Sequence, residues 1–482
     1  MNLRVAIGEV LSCRMRASNS AGFFKVIRAE LRQLLRLAFP ITLTQISQMG
    51  MGVADTIMAG RVSAADLAGV ALGGNLFWPA LMFVSGIIMS ITPRVSQLHG
   101  AGHERESGEV VRQSLWIAMV GGVVLMIVLR NVEPLYRFIE VDPLAIPIAV
   151  GYLQALSWGL LPLLGYFALR YLCEGMSWTL PAMLIAFSAL LLKIPLNYLF
   201  IYGGSYGGLE VPAMGGIGCG WSSAIVMTLE LIALMLVVAF SRMNIAGLFA
   251  RFSWPDTSEI WRLVRLGAPI GATMFLEFSM FSVVTLLIGR MGVEAVAAHQ
   301  IAGNVGGMTF MVPLALGMAA SIRVGFNVGA NNIPAARRSG WVAIGVALVF
   351  ALIAAVLVFF LREPIASLYS TEVPVLMLAV DLLLFVVLYQ FFDDAQVATI
   401  GALRGFKDTR TPMWIAIISY WAIGLPVGVT LGFGWLGFEA FIGVRGFWVG
   451  LTAGLVVASV FLVARFRWLS HAEHRILELA GR

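Results

Sequence analysis

Apolar and polar positions fall along this chain in long blocks. Twelve apolar stretches lie at about 35–57, 68–93, 110–129, 145–169, 180–202, 214–240, 266–288, 296–321, 341–361, 374–400, 411–434 and 446–464, with polar turns between them. A helix that crosses a bilayer needs about 20 mostly apolar residues, whereas barrel strands alternate over about ten. The stretches have the longer length and are apolar on all sides. They predict an all-α membrane protein with twelve transmembrane helices.

The pattern repeats. A shift of 229 residues superposes Arg36 on Arg265, Pro40 on Pro269, Gly60 on Gly289, Asn75 on Asn304, Arg94 on Arg323 and Gly100 on Gly329. A repeat of six spans is even, so both halves enter the membrane from the same side. The expected plan is two parallel six-helix lobes related by a pseudo-two-fold axis along the membrane normal. Such a plan commonly places a substrate cavity between the lobes. The predicted organisation is a cytoplasmic arm at 1–30, an N-terminal lobe at 31–240, a polar cytoplasmic linker at 241–264, a C-terminal lobe at 265–467 and a cytoplasmic tail at 468–482.

Basic residues orient this plan. If the N-terminus is cytoplasmic, 25 of the 32 lysines and arginines lie on the cytoplasmic side, with Arg170 counted in one of those loops. Arg61, Arg130, Arg137, Arg290, Arg362 and Arg445 fall outside, and Lys193 lies within a span. The bias follows the positive-inside rule and puts both termini in the cytoplasm. Residues 1–30 show no apolar core followed by a small-residue cleavage site, so the first span is expected to remain in the membrane.

Composition narrows the class further. The chain has 482 residues, 60% of them apolar and 12% charged. A soluble protein is nearer half apolar and a quarter charged. The net charge of +6 is scattered between apolar runs and forms no block, which argues against nucleic acid as a partner. Cys13, Cys173 and Cys219 show no metal-binding spacing, and no structural disulfide is expected.

Charges are expensive in hydrocarbon, so an ionisable residue within a span marks a functional site by default. Glu277, amid apolar and small residues in the seventh span, reads as a cation or proton site; the plainer reading is a carboxyl that only ties helices together. Its repeat counterpart is Gln48, so the backbone duplicates while the ionisable chemistry does not. Asp393 and Asp394 are neighbours in the tenth span and point about 100° apart. One is expected to face the lobe interior with Glu277, the other the central cleft or a polar neighbour. Tyr389 precedes Asp393 by one turn and offers a ring face or a hydroxyl to a cation. Asp55 is the acid of the first span, a candidate for proton or cationic-drug binding unless it is simply solvated. Lys193 and Asn197 share a face of the fifth span and, with Gln48, are expected to belong to the substrate cavity or a proton network. Lys193 needs a partner at that depth or must snorkel to an edge, and Asp55 is the first candidate. Glu230 and Asp381 read as near-interface groups. Prolines 40, 195, 269, 313 and 426 are expected to kink helices.

No enzyme motif is present. The chain lacks a GxxxxGK[ST] phosphate loop, an HExxH pair and a GxSxG elbow, so it is not expected to be an enzyme and no cofactor is expected. The remaining energy source is an ion gradient. One charge crossing 100 mV is worth about 2.3 kcal/mol, and a tenfold drug gradient costs about 1.4 kcal/mol.

The motifs GMGVADTIMAG (50–60), RVSQLHGAG (94–102), LLLKIPLNYLFIYG (190–203), GGIGCGW (215–221), RLGAPIG (265–271), VAAHQIA (296–302), SIRVGFNVGA (321–330), YQFFDDAQV (389–397) and GALRGFKDT (401–409) carry a resemblance over residues 30–468. Together they resemble the multidrug and toxic compound extrusion (MATE) family, in its NorM branch. The resemblance implies a V-shaped cavity between two six-helix lobes and export of diverse, often cationic drugs and dyes in exchange for H⁺ or Na⁺. It implies a coupling or drug-linked role for Asp55. It implies a C-terminal cation site at Glu277, Asp393 and Tyr389, with Na⁺ at Glu277 and Asp393 as one form of it. Two residues depart from the pattern. Asp394 stands where relatives often carry a small residue, and Lys193 where they often carry Asn.

The expected protein is therefore a multi-pass transporter of the bacterial inner membrane that acts as a monomer on small-molecule drugs and dyes among membrane lipids. The alternative is a flippase for lipid-linked precursors, which would need a strongly basic cavity. Here the intramembrane charges read as acidic, with Lys193 alone opposed. A passive scaffold or channel has no need of Glu277 and Asp393. A sugar or nutrient facilitator of another two-bundle family fits the repeat but not the motifs.

Overall fold

The computed structural model describes residues 3–138, 143–206, 209–435 and 443–481, with side chains from residue 25 onward except 205–209. The chain is almost entirely helical, as its apolar blocks require. Without water to accept its hydrogen bonds, backbone in a bilayer must satisfy them internally. The N-terminal half is built from α1 (Leu3–Gly60), α2 (Ala64–Ile88), α3 (Ile91–Gly100), α4 (Ser107–Arg130), α5 (Glu133–Phe138), α6 (Ile146–Ser157), α7 (Leu160–Gly175), α8 (Leu180–Tyr202) and α9 (Gly216–Phe240). A two-stranded antiparallel hairpin, β1 (Gly204–Tyr206) and β2 (Leu209–Val211), joins α8 to α9. The C-terminal half is α10 (Thr257–Ile288), α11 (Val293–Gly329), α12 (Ile333–Tyr369), α13 (Val373–Gly405), α14 (Arg410–Ala416), α15 (Leu425–Gly432), α16 (Val444–Leu469) and α17 (Glu473–Ala480).

Among the described residues, ten helical segments are long and apolar enough to cross a membrane, and α6 with α7 makes an eleventh that bends by 49°. The stretch expected as the first span lies within α1. The sequence boundaries run short at several ends. α11 and α12 have 37 residues each, about 55 Å, and extend beyond a hydrocarbon core of about 30 Å. Hydropathy marks where a helix leaves the apolar layer, not where its hydrogen bonds stop. Local signals set the true ends. The Ser63 hydroxyl accepts from the Asp66 amide at 3.0 Å and starts α2; Asp256 caps α10 through the Ser258 amide at 2.9 Å. Pro40, Pro195, Pro269 and Pro313 lie inside helices, as do Pro79 and Pro364. Pro426 opens α15 directly after a π-helical segment at Ile417–Gly424.

The two halves are lobes that meet at one end. Between them, Arg94 pairs with Glu259, Arg323 with Glu30 at 2.7 Å, and Gln97 donates to the Gly405 carbonyl at 3.0 Å. All three contacts lie at the end that carries the basic loops. One hydrophobic core runs from the N-terminal lobe through Leu316, Ile322, Phe406 and Phe466 at this joined end. A second core, from Met280 to Leu455, is confined to the far end of the C-terminal lobe.

The repeat is visible in the contacts themselves. A Cβ built on Gly100 would lie 2.0 Å from the Phe326 carbonyl oxygen, and one on Gly329 would lie 1.9 Å from the Gln97 carbonyl oxygen. Gln97 and Phe326 are 229 residues apart, as are the two glycines, so each lobe makes the other's contact. A Cβ on Gly325 would meet the Oγ of Ser96, its own repeat counterpart, at 2.1 Å. Residues that touch their own counterparts lie on the pseudo-two-fold axis.

These contacts leave no room for a side chain at the joint. Gly100→Val and Gly329→Val are each expected to lower stability by about 1–3 kcal/mol through overpacking. Gly307→Ala, where a Cβ meets nothing within 4 Å, is expected to be neutral or slightly stabilising. Thermal unfolding of the purified variants measures this; equal melting temperatures for all three would contradict the joint.

Candidate functional site

The first polar cluster sits inside the N-terminal lobe, where α1, α8 and α9 meet. Gly218 lets α9 approach the α8 backbone: a Cβ there would lie 2.5 Å from the Phe200 carbonyl oxygen. Small residues permit such approach in membranes. Asp55 of α1 lies against Lys193 and Asn197, one turn apart on α8. Lys193 Nζ is 3.0 Å from Asp55 Oδ1, and Asn197 Nδ2 donates to the same oxygen at 2.7 Å. Lys193 also donates to Ser222 Oγ at 2.9 Å, to the Cys219 carbonyl at 3.2 Å and to Ser223. Ser222 donates to Asn197 Oδ1. Lys193 is 1% exposed and Asp55 is buried with it, so Lys193 neither snorkels nor stands alone. A buried charge pair persists where further hydrogen bonds satisfy its remaining groups, and the two serines and Asn197 provide them.

Ser222 and Ser223 were not singled out in the sequence. Two adjacent hydroxyls in the middle of an apolar span, right after GGIGCGW, were the available signal.

A second group in this lobe corrects the sequence reading. Arg170 does not lie in a cytoplasmic loop. The fourth span breaks near Trp158–Gly159 and continues as α7 to Gly175, leaving Arg170 2% exposed inside the lobe. Its Nε donates to Glu174 at 2.7 Å, one turn on, and its terminal nitrogens donate to Gln45 at 2.9 Å and Gln48 at 3.4 Å. Lys193 is thus not the lone intramembrane base. The Arg–Glu spacing of four residues was the missed signal. The fall in hydropathy at Arg170 marked a satisfied pair, not a helix end. Gln48, grouped with Lys193 and Asn197 on sequence, is bonded to Arg170 instead and lies two turns from Asp55.

The third cluster is in the C-terminal lobe. Glu277 of α10 is half-buried and faces α13 and the π-helical segment. Gln396 Nε2 donates to Glu277 Oε1 at 3.4 Å, and the Tyr420 hydroxyl donates to the same oxygen at 3.4 Å. Gln396 also donates to Tyr420. π-turns often sit at functional sites, and this one delivers Tyr420. Asp393 is buried with Glu277 and Asp394 as its charged neighbours. Asp394 turns to a polar neighbour: it accepts from Gln390 at 3.1 Å, and its Oδ2 has no partner among the described residues. Thr309 donates in turn to Gln390 at 2.9 Å. Tyr389 is buried against Trp448, ring centres 5.8 Å apart. Gln396 and Tyr420 are further residues the sequence reading passed over, being neutral polar groups in otherwise apolar spans.

The clusters differ in chemistry. Around Asp55 the acid has a base within reach, so the pair is internally neutral. Around Glu277 three carboxyls gather and the nearest base is Arg404. Neighbouring carboxyls in a buried setting titrate as a coupled system. Glu230, read from the sequence as a near-interface group, is 2% exposed within α9. Asp381 is partly exposed and pairs with Arg445. Cys173 and Cys219 are free thiols; the side chain of Cys13 lies outside the described residues. Among the described residues no set of three His, Cys, Asp or Glu side chains is arranged to hold a metal ion.

Comparison with known proteins gives a consistent answer. The MatE family model matches residues 40–199 and 269–430, once in each lobe. The multidrug resistance protein MdtK of Yersinia pseudotuberculosis serotype O:1b (strain IP 31758) is 41% identical over 442 residues, covering 91% of this chain and 96% of the relative. Among solved structures, the eukaryotic MATE transporter AtDTX14 superposes with a TM-score of 0.86 at 21% identity, covering 95% of this chain and 99% of the other. An outward-facing conformation of a multidrug resistance MATE family transporter gives a TM-score of 0.82 at 18% identity, covering 93% and 98%.

Breaking a buried ion pair from one side strands the other charge, at a cost of about 3–5 kcal/mol, whereas replacing both sides is often near neutral. Lys193→Met is therefore expected to destabilise the protein strongly, and Asp55→Asn with Lys193→Met to recover most of the loss. A double-mutant cycle on thermal unfolding reads the coupling, and additive effects would contradict the pair.

Proposed function

The chain belongs to the MatE family and is a multi-pass membrane transporter of the multidrug-efflux type, and from that membership we propose that it is a secondary antiporter of the NorM branch. In this reading it sits in the bacterial inner membrane as a monomer, with both termini cytoplasmic, and exports cationic or amphiphilic drugs and dyes in exchange for H⁺ or Na⁺. The lobes are 31–240 and 265–467, with the arm 1–30, the linker 241–264 and the tail 468–482 on the cytoplasmic side. The joined end is then cytoplasmic, and the cleft between the lobes opens outward.

One observation carries the reading: each lobe holds buried ionisable groups inside its own bundle, an Asp55–Lys193 pair in one and the acids Glu277, Asp393 and Asp394 in the other. A cationic drug needs a counter-charge in the membrane, and so does each acid. Drug enters while the lobes are open inward, and the transporter turns outward. H⁺ or Na⁺ then binds at Glu277 and Asp393, with Tyr389, Asp394, Gln396 and Tyr420 around them, or a proton reaches Asp55 and frees it from Lys193 and Asn197. Either event cancels the charge that held the drug. The drug leaves, and the ion-loaded form returns. A Na⁺ ion would meet two carboxylates and neutral oxygens, donors suited to a hard cation. Gln48 with Arg170 and Glu174 serves as a fixed brace in the N-terminal lobe. The Arg170 charge is already matched by Glu174, so the lobe offers no free base for a pyrophosphate, which disfavours a lipid-linked precursor as substrate.

Purified protein in vesicles, loaded with ethidium at equal concentration on both sides, is expected to drive uphill dye movement when a Na⁺ gradient or a pH gradient is imposed alone. Movement with Na⁺ assigns coupling to Glu277 and Asp393; movement with pH assigns it to proton exchange, with Asp55 and Lys193 next in line. Glu277→Gln is expected to keep the fold and lose at least tenfold in coupled export. No movement with either gradient would overturn the proposal, and full export by Glu277→Gln would overturn the assignment of coupling to Glu277.

A further inference from the structure

Glu230 is absent from the coupling scheme, yet it is placed as a binding residue would be. Two turns along α9 from Ser223, and one turn from Lys193 on α8, the two helices part to leave a cavity of about 270 Å³. Ser188, Ala189 and Leu192 of α8 and Val226, Glu230 and Ala233 of α9 line it. Its rim includes Leu184, Leu192 and Leu229, all exposed on the flank of the protein. Among the described residues, Glu230 Oε1 is enclosed and accepts no hydrogen bond. The charged groups that face it are Arg170 from α7 and Lys193 from α8. Both are engaged elsewhere, Arg170 with Glu174 and Lys193 with Asp55. The Tyr166 hydroxyl and Glu174 Oε2 of α7 are likewise enclosed without partners.

A carboxyl buried without a partner is costly, and here it lines a cavity whose rim is apolar. We propose that this cavity is a second, lateral site for a compact organic cation with apolar substituents, entered from the hydrocarbon between α8 and α9. An inorganic cation is a poor fit. It takes six or more oxygen ligands, and the wall offers the carboxyl and the single Ser188 hydroxyl. A quaternary ammonium has a diffuse charge and asks only for one anion and apolar contact. The volume is near the lower edge of ligand pockets, about 300–1,000 Å³, which suits a compact head whose substituents extend past the leucine rim into lipid. The choice of an organic cation rests on the reading of this protein as an exporter of cationic compounds; the site itself rests on the cavity and the unpartnered carboxyl.

Equilibrium binding of tritiated tetrapropylammonium to the full chain in phosphatidylcholine nanodiscs tests this. The measurement is made on Glu277→Gln protein, in which the proposed central site is disabled. One equivalent per chain is expected to remain. It is expected to vanish when Glu230→Gln is added, and also when Ala189→Leu is added, which fills the cavity and leaves the carboxyl in place. Glu230→Asp is expected to retain part of it. Monodisperse gel filtration of each variant shows that the fold is kept. Unchanged binding in both Glu230→Gln and Ala189→Leu would overturn the lateral site. Loss in Glu230→Gln alone would overturn its location in the cavity. The central reading fails separately, by equal binding in wild-type and Glu277→Gln protein.

Discussion

Every charge placed in hydrocarbon must be matched, and the interior of this protein is organised by that requirement. Asp55 is matched by Lys193, and Arg170 by Glu174. Glu277 has only neutral donors, Gln396 and Tyr420, on its carboxyl oxygen. Asp393 has acids for charged neighbours, and Glu230 Oε1 has no hydrogen bond among the described residues. The matched groups tie helices together in this structure, Asp55 and Lys193 joining α1 to α8 and Arg170 joining α7 to α1 through Gln45. In the proposed mechanism the unmatched carboxyls are where a proton, a sodium ion or a cationic drug lowers the energy of the whole.

The repeat separates architecture from chemistry. Both lobes use the same frame, and the reciprocal packing of Gly100 on Phe326 and Gly329 on Gln97 joins them about a common axis. A joint of this kind needs backbone contact and very small residues. The ionisable groups do not follow the symmetry. Gln48, at the repeat position of Glu277, is occupied by Arg170, while Glu277 is not tied to a base by any hydrogen bond. One lobe thus carries an internally neutral cluster and the other an acid-rich one.

Much of this was legible in the sequence. Long apolar blocks fix transmembrane helices, and the 229-residue repeat fixes two parallel lobes. Acids within spans pointed to Asp55, Glu277, Asp393 and Asp394. What could not be read was how polar residues from different helices meet. Ser222, Gln396 and Tyr420 carry no charge and look like ordinary breaks in an apolar run; only packing brings them to Asn197 and Glu277. Arg170 was misplaced because a buried pair lowers hydropathy just as a loop does. Glu230 was set at the interface because its apolar flanks do not say which face of α9 is enclosed. Helix ends ran long for a similar reason, since caps such as Asp256 end a helix where hydrogen bonding stops and not where the bilayer does.

The central claim is that drug and coupling ion compete for the same unmatched carboxyls. The most direct measurement is ion displacement on drug binding. Ethidium is titrated into purified protein in weakly buffered solution, with a pH indicator in one series and ²²Na⁺ in another. The account predicts about one H⁺ or Na⁺ released for each dye bound, with the release abolished when Glu277 and Asp393 are both neutralised. Dye binding that displaces neither ion at any pH or sodium concentration would contradict it.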